Sequence, residues 1–230
     1  MKKKLTKLLV ALLCLALCLA MFAACDQTDG ETQKSEQEET EGMAAAEWNE
    51  KVSEKNFENY TVLMEGRMTV TQNGQEETTA DLSQTIKVTS DKVSVTARAN
   101  APGQNGETEE LTQTYDGEMA QIYKTQTAQL FLRMIRDYDN FVYDKATNTY
   151  KVPETVVVEE TLKGTSSTEG MIDVPTRIEI REAVVTFTND GKLAKLVSDY
   201  SQSMVVDGDT ITTAGKTTWT FSNFGTTVIE

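Results

Sequence analysis

The stretch Tyr60–Gly74, YTVLMEGRMTVTQNG, decides the fold. Tyr60, Val62, Met64, Met68 and Val70 share one phase of a two-residue period, with Gly66 between them. Leu63, Glu65, Arg67, Thr69 and Thr71 share the other. Successive side chains of a strand point to opposite faces, so this alternation describes a strand with one face in a core and one toward water. Asn73-Gly74 then supplies the dipeptide that best suits a tight hairpin, where both central residues need positive φ.

Working outward, the return strand continues through Leu82, Ile86 and Val88, with Gln84 as a polar interruption. Ser90-Asp91 turns the chain into Val93, Val95, Ala97 and Ala99, and Ala101 to Glu107 reads as a loop. Glu109 to Tyr115 and Glu118 to Lys124, joined by Asp116-Gly117, complete five expected strands in a meander. Thr127 to Tyr138 breaks the period: Leu130, Phe131, Met134, Ile135 and Tyr138 recur at helical spacing, with Thr127 as the expected cap. Further short strands are expected at Phe141 to Tyr143 and Thr149 to Val152. Pro153 to Lys163 carries both helix punctuation and the β-branched run Val156-Val157-Val158, and we read it as strand. Thr165 to Asp173 reads as loop.

In Arg177 to Thr188, Ile178 and Ile180 lie on one phase and Ala183, Val185 and Phe187 on the other. A bulge produces such a slip. Asn189-Asp190-Gly191-Lys192 is a hairpin turn, and Leu193 to Val206 and Thr210 to Phe221 are the last long strands. Before the first strand, Met43 to Asn59 is expected to form a helix of about four turns, with Trp48, Val52 and Phe57 toward the core. The expected fold class is thus α+β, mainly β: one domain at 43–230, a curved antiparallel sheet with an N-terminal helix and an inserted helix.

The opening 25 residues have a different character. Lys2, Lys3, Lys4 and Lys7 precede an uncharged apolar run from Leu8 to Ala24, the layout of a secretory signal. A retained membrane helix is the competing reading, but Phe22-Ala23-Ala24-Cys25 resembles a bacterial lipobox. That resemblance implies a signal peptide at 1–24 and a diacylglyceryl group on the thiol of Cys25, hence a lipid-anchored protein on the extracytoplasmic face of a bacterial membrane. All three cysteines (Cys14, Cys18 and Cys25) lie in this stretch, so residues after Cys25 can form no disulfide. Asp26 to Gly42, with seven acids, Lys34 and no apolar side chain, reads as a disordered acidic tether.

Charge and composition exclude several functions. The formal charge is −14, and removing the four signal lysines takes it to −18. That argues against nucleic acid as a partner. Histidine is absent, which removes the commonest general base and zinc ligand. Glu109-Glu110 and Glu159-Glu160 are adjacent on strands and point to opposite faces, so neither pair serves as acid and base. Asp207-Gly208-Asp209 opens like a calcium loop but lacks the distal ligands, and we read it as a turn. Neither catalysis, a metal nor a cofactor is expected.

The order of elements, with FTNDGKLAKL (Phe187 to Leu196) and WTFSNFGTTV (Trp219 to Val228), resembles LolA/LppX-type bacterial lipoproteins. The resemblance implies a half-barrel whose sheet wraps its helices on the concave face, and a capacity to hold a lipid or glycolipid between them in a monomer. Met64, Met68, Met119, Leu130 and Met134 are the expected apolar contacts, since methionine adapts to varied apolar ligands. The alternative is a cell-surface structural or protein-interaction module with no ligand cavity.

Overall fold

The quoted alternation becomes β1 (Tyr60–Gln72), and its hairpin leads into β2 (Gln75–Val88). Asn73 and Gly74 take φ of 51° and 79°, the positive pair that the turn requires. This computed structural model describes residues 42–100, 109–166, 170–206 and 208–229. The expected signal peptide, Cys25, the tether up to residue 41 and the loop at 101–107 lie outside the described residues.

The remaining strands are β3 (Lys92–Asn100), β4 (Glu109–Asp116), β5 (Val142–Asp144), β6 (Thr149–Lys151), β7 (Val156–Ser166), β8 (Gly170–Phe187), β9 (Leu193–Val206) and β10 (Asp209–Ser222). They form one curved, open, antiparallel sheet in the order β4-β3-β2-β1-β10-β9-β8-β6-β5. β7 also pairs with β8, so β6 and β7 share one edge of that long strand. The β8–β9 register shifts between Ile180 and Glu182, the bulge expected from the phase slip. It lets Ile178, Ile180, Ala183 and Val185 all reach the core.

Four expectations need correction. Glu118 to Lys124 is not a strand: a single helix, α2, runs from Gly117 to Ile135. Gly117, with φ of 55°, swings the chain out of β4, and Ala120, Tyr123, Thr127 and Phe131 then follow a helical stripe into the core. Thr127 is therefore a buried mid-helix residue and not a cap. Near the chain start, the expected four-turn helix shrinks to α1 (Ala45–Lys51), followed by a 3₁₀ turn at Glu54–Asn56. The loop expected at Thr165 to Asp173 is largely strand, because β7 and β8 pair as far as Ser166 and Gly170. Pro153 to Lys163 is strand from Val156 onward, as read.

α2 packs across one face of the sheet. Tyr123 stacks on Tyr115 of β4 at 3.7 Å between centroids. Further along, Phe131 meets Trp219 and Phe221 of β10, and Met134 sulfur lies 3.5 Å from Ser198 Oγ of β9. Trp48 anchors α1 to its C-terminus: the indole N–H donates to the Ile135 carbonyl at 2.9 Å, amid the rings of Tyr138, Phe141, Tyr150 and Phe187. Met43 is tied by its N–H to Tyr150 Oη and by its carbonyl to Tyr138 Oη, both at 2.6 Å. The chain therefore joins the domain at a fixed place beside β5 and β6.

Candidate functional site

Strand pairing sorts the helix-bearing face into transverse rows. Gln84, Met64, Trp219, Leu196 and Val185 make one, and Leu82, Gly66, Thr217, Ser198 and Ala183 the next. The small residues of the second row leave room for Met134 of α2. Their polar atoms are mutually satisfied: Ser198 Oγ lies 3.2 Å from Thr217 Oγ1, which also accepts from the Trp219 indole N–H at 3.0 Å.

Beyond this row the face continues as Ala80, Met68, Gly215, Tyr200 and Ile180, then Val70, Thr213, Gln202 and Ile178, then Ile211, Met204 and Thr176. Most of these side chains are buried, and the Tyr200 phenol is pushed up to about 12 by that burial. Gln202 and Thr213 stand opposite one another across β9 and β10, 5% and 7% exposed. Among the described residues, Gln202 Nε2 and Thr213 Oγ1 have no hydrogen-bonding partner. A buried polar group left so costs about 1–3 kcal/mol, which a folded chain tolerates where something else meets it. Tyr60 Oη is a third such atom, beneath α2 among the rings of Phe57, Phe131, Phe221 and Phe224. Burial holds its phenol well above the ordinary range.

Of the residues singled out in the sequence, Met64, Met68 and Met134 are buried together in this core. Met119 is not with them: it sits in the first turn of α2 and is 48% exposed. Leu130 lies on α2, but its side chain is outside the described residues, as is Cys25. Gln202, Thr213 and Met204 were not singled out. The clue was present, since Gln202 is a polar residue on the apolar phase of its strand, like Gln84.

The opposite face is polar and exposed. Arg177–Glu159 and Arg181–Asp199 pair there across neighbouring strands, and Lys216 of β10 reaches over β9 to Glu182 of β8, with Thr96–Thr112 and Ser203–Thr212 hydroxyl contacts. Exposed pairs of this kind contribute little stability and mainly keep the face wet. Asp209 acts as a turn residue, accepting from Asn73 Nδ2 at 2.8 Å and Gln72 Nε2 at 2.6 Å. Among the described residues, no three acidic, cysteine or histidine side chains are grouped to hold a metal.

No protein-family model matches the sequence, and no curated protein is similar to it.

Proposed function

We propose that this chain is a lipid-anchored extracytoplasmic bacterial protein of the LolA/LppX kind, which holds a lipid or similar apolar molecule between its sheet and helices. The carrying observation is a mismatch of areas. α2, at 19 residues, is about 28 Å long and about 10 Å broad. The strands it crosses are 13 and 14 residues long in β1, β9 and β10, roughly 45 Å each. One helix therefore spans a band of the face, and beyond it the apolar phase runs on, buried, through Met68, Ile178 and Met204. An apolar face with a few convergent polar groups suits a small-molecule site.

The helix takes the concave side in this reading. From Tyr123 to Met134, α2 advances about 17 Å, yet its contacts pass from β4 to β9, five strand spacings or about 24 Å. A chord shorter than its arc is what a sheet curling around the helix gives, the half-barrel expected from the resemblance. The alternative, a display module with no ligand, draws on the polar outer face with its threonine pairs and ion pairs.

The deciding experiment is native mass spectrometry of the processed protein released from detergent micelles, with organic extraction of the same sample. We expect about one non-covalent acyl lipid per chain, and a rise in melting temperature when phospholipid or glycolipid is added, because a ligand of the native state stabilises it. Empty protein whose melting temperature ignores every added lipid would leave the display module in its place.

A further inference from the structure

We propose that Gln202 and Thr213 form a hydrogen-bonding clamp for an uncharged carbonyl, so that the ligand is a neutral acyl ester held by its ester group. This rests on the lipid-holding reading above and specifies its chemistry.

Three observations converge. First, the two side chains are direct cross-strand partners on the helix-bearing face, both more than nine-tenths buried, with Nε2 and Oγ1 unpartnered. Their neighbours nearer the helix, Ser198, Thr217 and Trp219, satisfy one another. Apart from Tyr60 Oη, which lies beneath α2, the unpartnered buried side-chain atoms among the described residues fall in this one row. Second, that row is walled by apolar groups: Ile178 is the partner of Gln202, Val70 is the partner of Thr213, and Met204 and Tyr200 flank Gln202 two residues away on β9. An acyl chain laid along Met68, Ile178 and Met204 brings its ester beside the pair. Third, the same phase of β1, β8, β9 and β10, and of β2 from Ala80 to Val88, carries no basic group, and besides tyrosine its one ionisable residue is Asp209 at the start of β10, whose carboxylate accepts from Gln72 and Asn73. Arg177, Arg181 and Lys216 pair with acids on the other face. A phosphate or carboxylate buried in this row would have no counter-charge, whereas a neutral carbonyl needs only the amide N–H and the hydroxyl.

The test compares two glycerol lipids of equal chain length, a monoacylglycerol ester and the corresponding monoalkyl ether, titrated into the processed full chain and read by native mass spectrometry. The ether has the same head and tail but no carbonyl. The wild-type chain should prefer the ester by about tenfold, the scale of one to two net hydrogen bonds. The near-isosteric double variant Gln202→Met/Thr213→Val should lose that preference while still binding the ether, which also shows that it is folded. Equal binding of ester and ether by wild type would overturn the clamp and leave the pair as a buried water site, with the lipid-holding reading intact. Binding of neither lipid by wild type would remove both.

Discussion

Tyr200 links burial to a measurable property. Its phenol is pushed up to about 12 from 10.0 by desolvation, because the phenolate is poorly accommodated on an apolar sheet face. Its folded-state pKa is raised, so the unfolded chain gives up this proton first. The native state then holds more protons than the unfolded one between pH 10 and 12, and stability falls as pH rises through that window. From pH 9 to 11 the loss due to Tyr200 is about 1.3 kcal/mol by linkage. Tyr60, raised in the same direction, steepens the slope further. Urea unfolding midpoints at the two pH values should show the fall, and Tyr200→Phe should reduce it. An unchanged slope in that variant would place the Tyr200 ring in water.

β1 and β10 pair at the centre of the sheet with a glycine in each strand. Gly215 lies opposite Met68, and Gly66 opposite Thr217. A Cβ on Gly215 would collide with the Arg67 carbonyl oxygen and come within 2.9 Å of Met68 sulfur. One on Gly66 would meet the Lys216 carbonyl oxygen at 2.5 Å. The two backbones approach too closely for any side chain at either point, which lets the centre of the sheet bend. Gly215→Ala should therefore lower stability by about 1–3 kcal/mol, as overpacking does. Thermal unfolding checks it, with exposed Thr220→Ala as a control that changes little. Neither glycine has positive φ, so sequence-level turn rules give them no reason to exist. Only the neighbouring strand does.

For the molecule as a whole, the two expectations that set its place in the cell meet at the chain start. Met43 is fixed by Tyr138 and Tyr150, so the chain enters the domain at a set place. On the proposed anchoring at Cys25, the seventeen residues from Asp26 to Gly42 set a reach of at most about 60 Å, and their seven acids disfavour contact with an anionic surface. On this reading, Cys25→Ala abolishes incorporation of labelled palmitate and leaves residues 1–24 uncleaved, which intact mass detects. Labelling that persists in that variant would mean the acyl group is carried elsewhere.

The sequence by itself determined most of the strands and their turns. Period-two alternation and positive-φ residues such as Asn73-Gly74 act over a few neighbours, and no distant partner is needed to read them. It also showed the bulge in β8 through its slipped phase, and marked Trp48 as a core anchor. It did not determine where α2 begins: Glu118 to Lys124 fits two periods, and only the Tyr115–Tyr123 stack and the core under Ala120 choose the helix. Nor did it separate Met119 from Met64, Met68 and Met134, since exposure depends on which elements pack across. The pairing of Gln202 with Thr213 was decided by tertiary structure alone. Each is one polar residue on an apolar phase, and their shared lack of a partner exists only once β9 and β10 are in register.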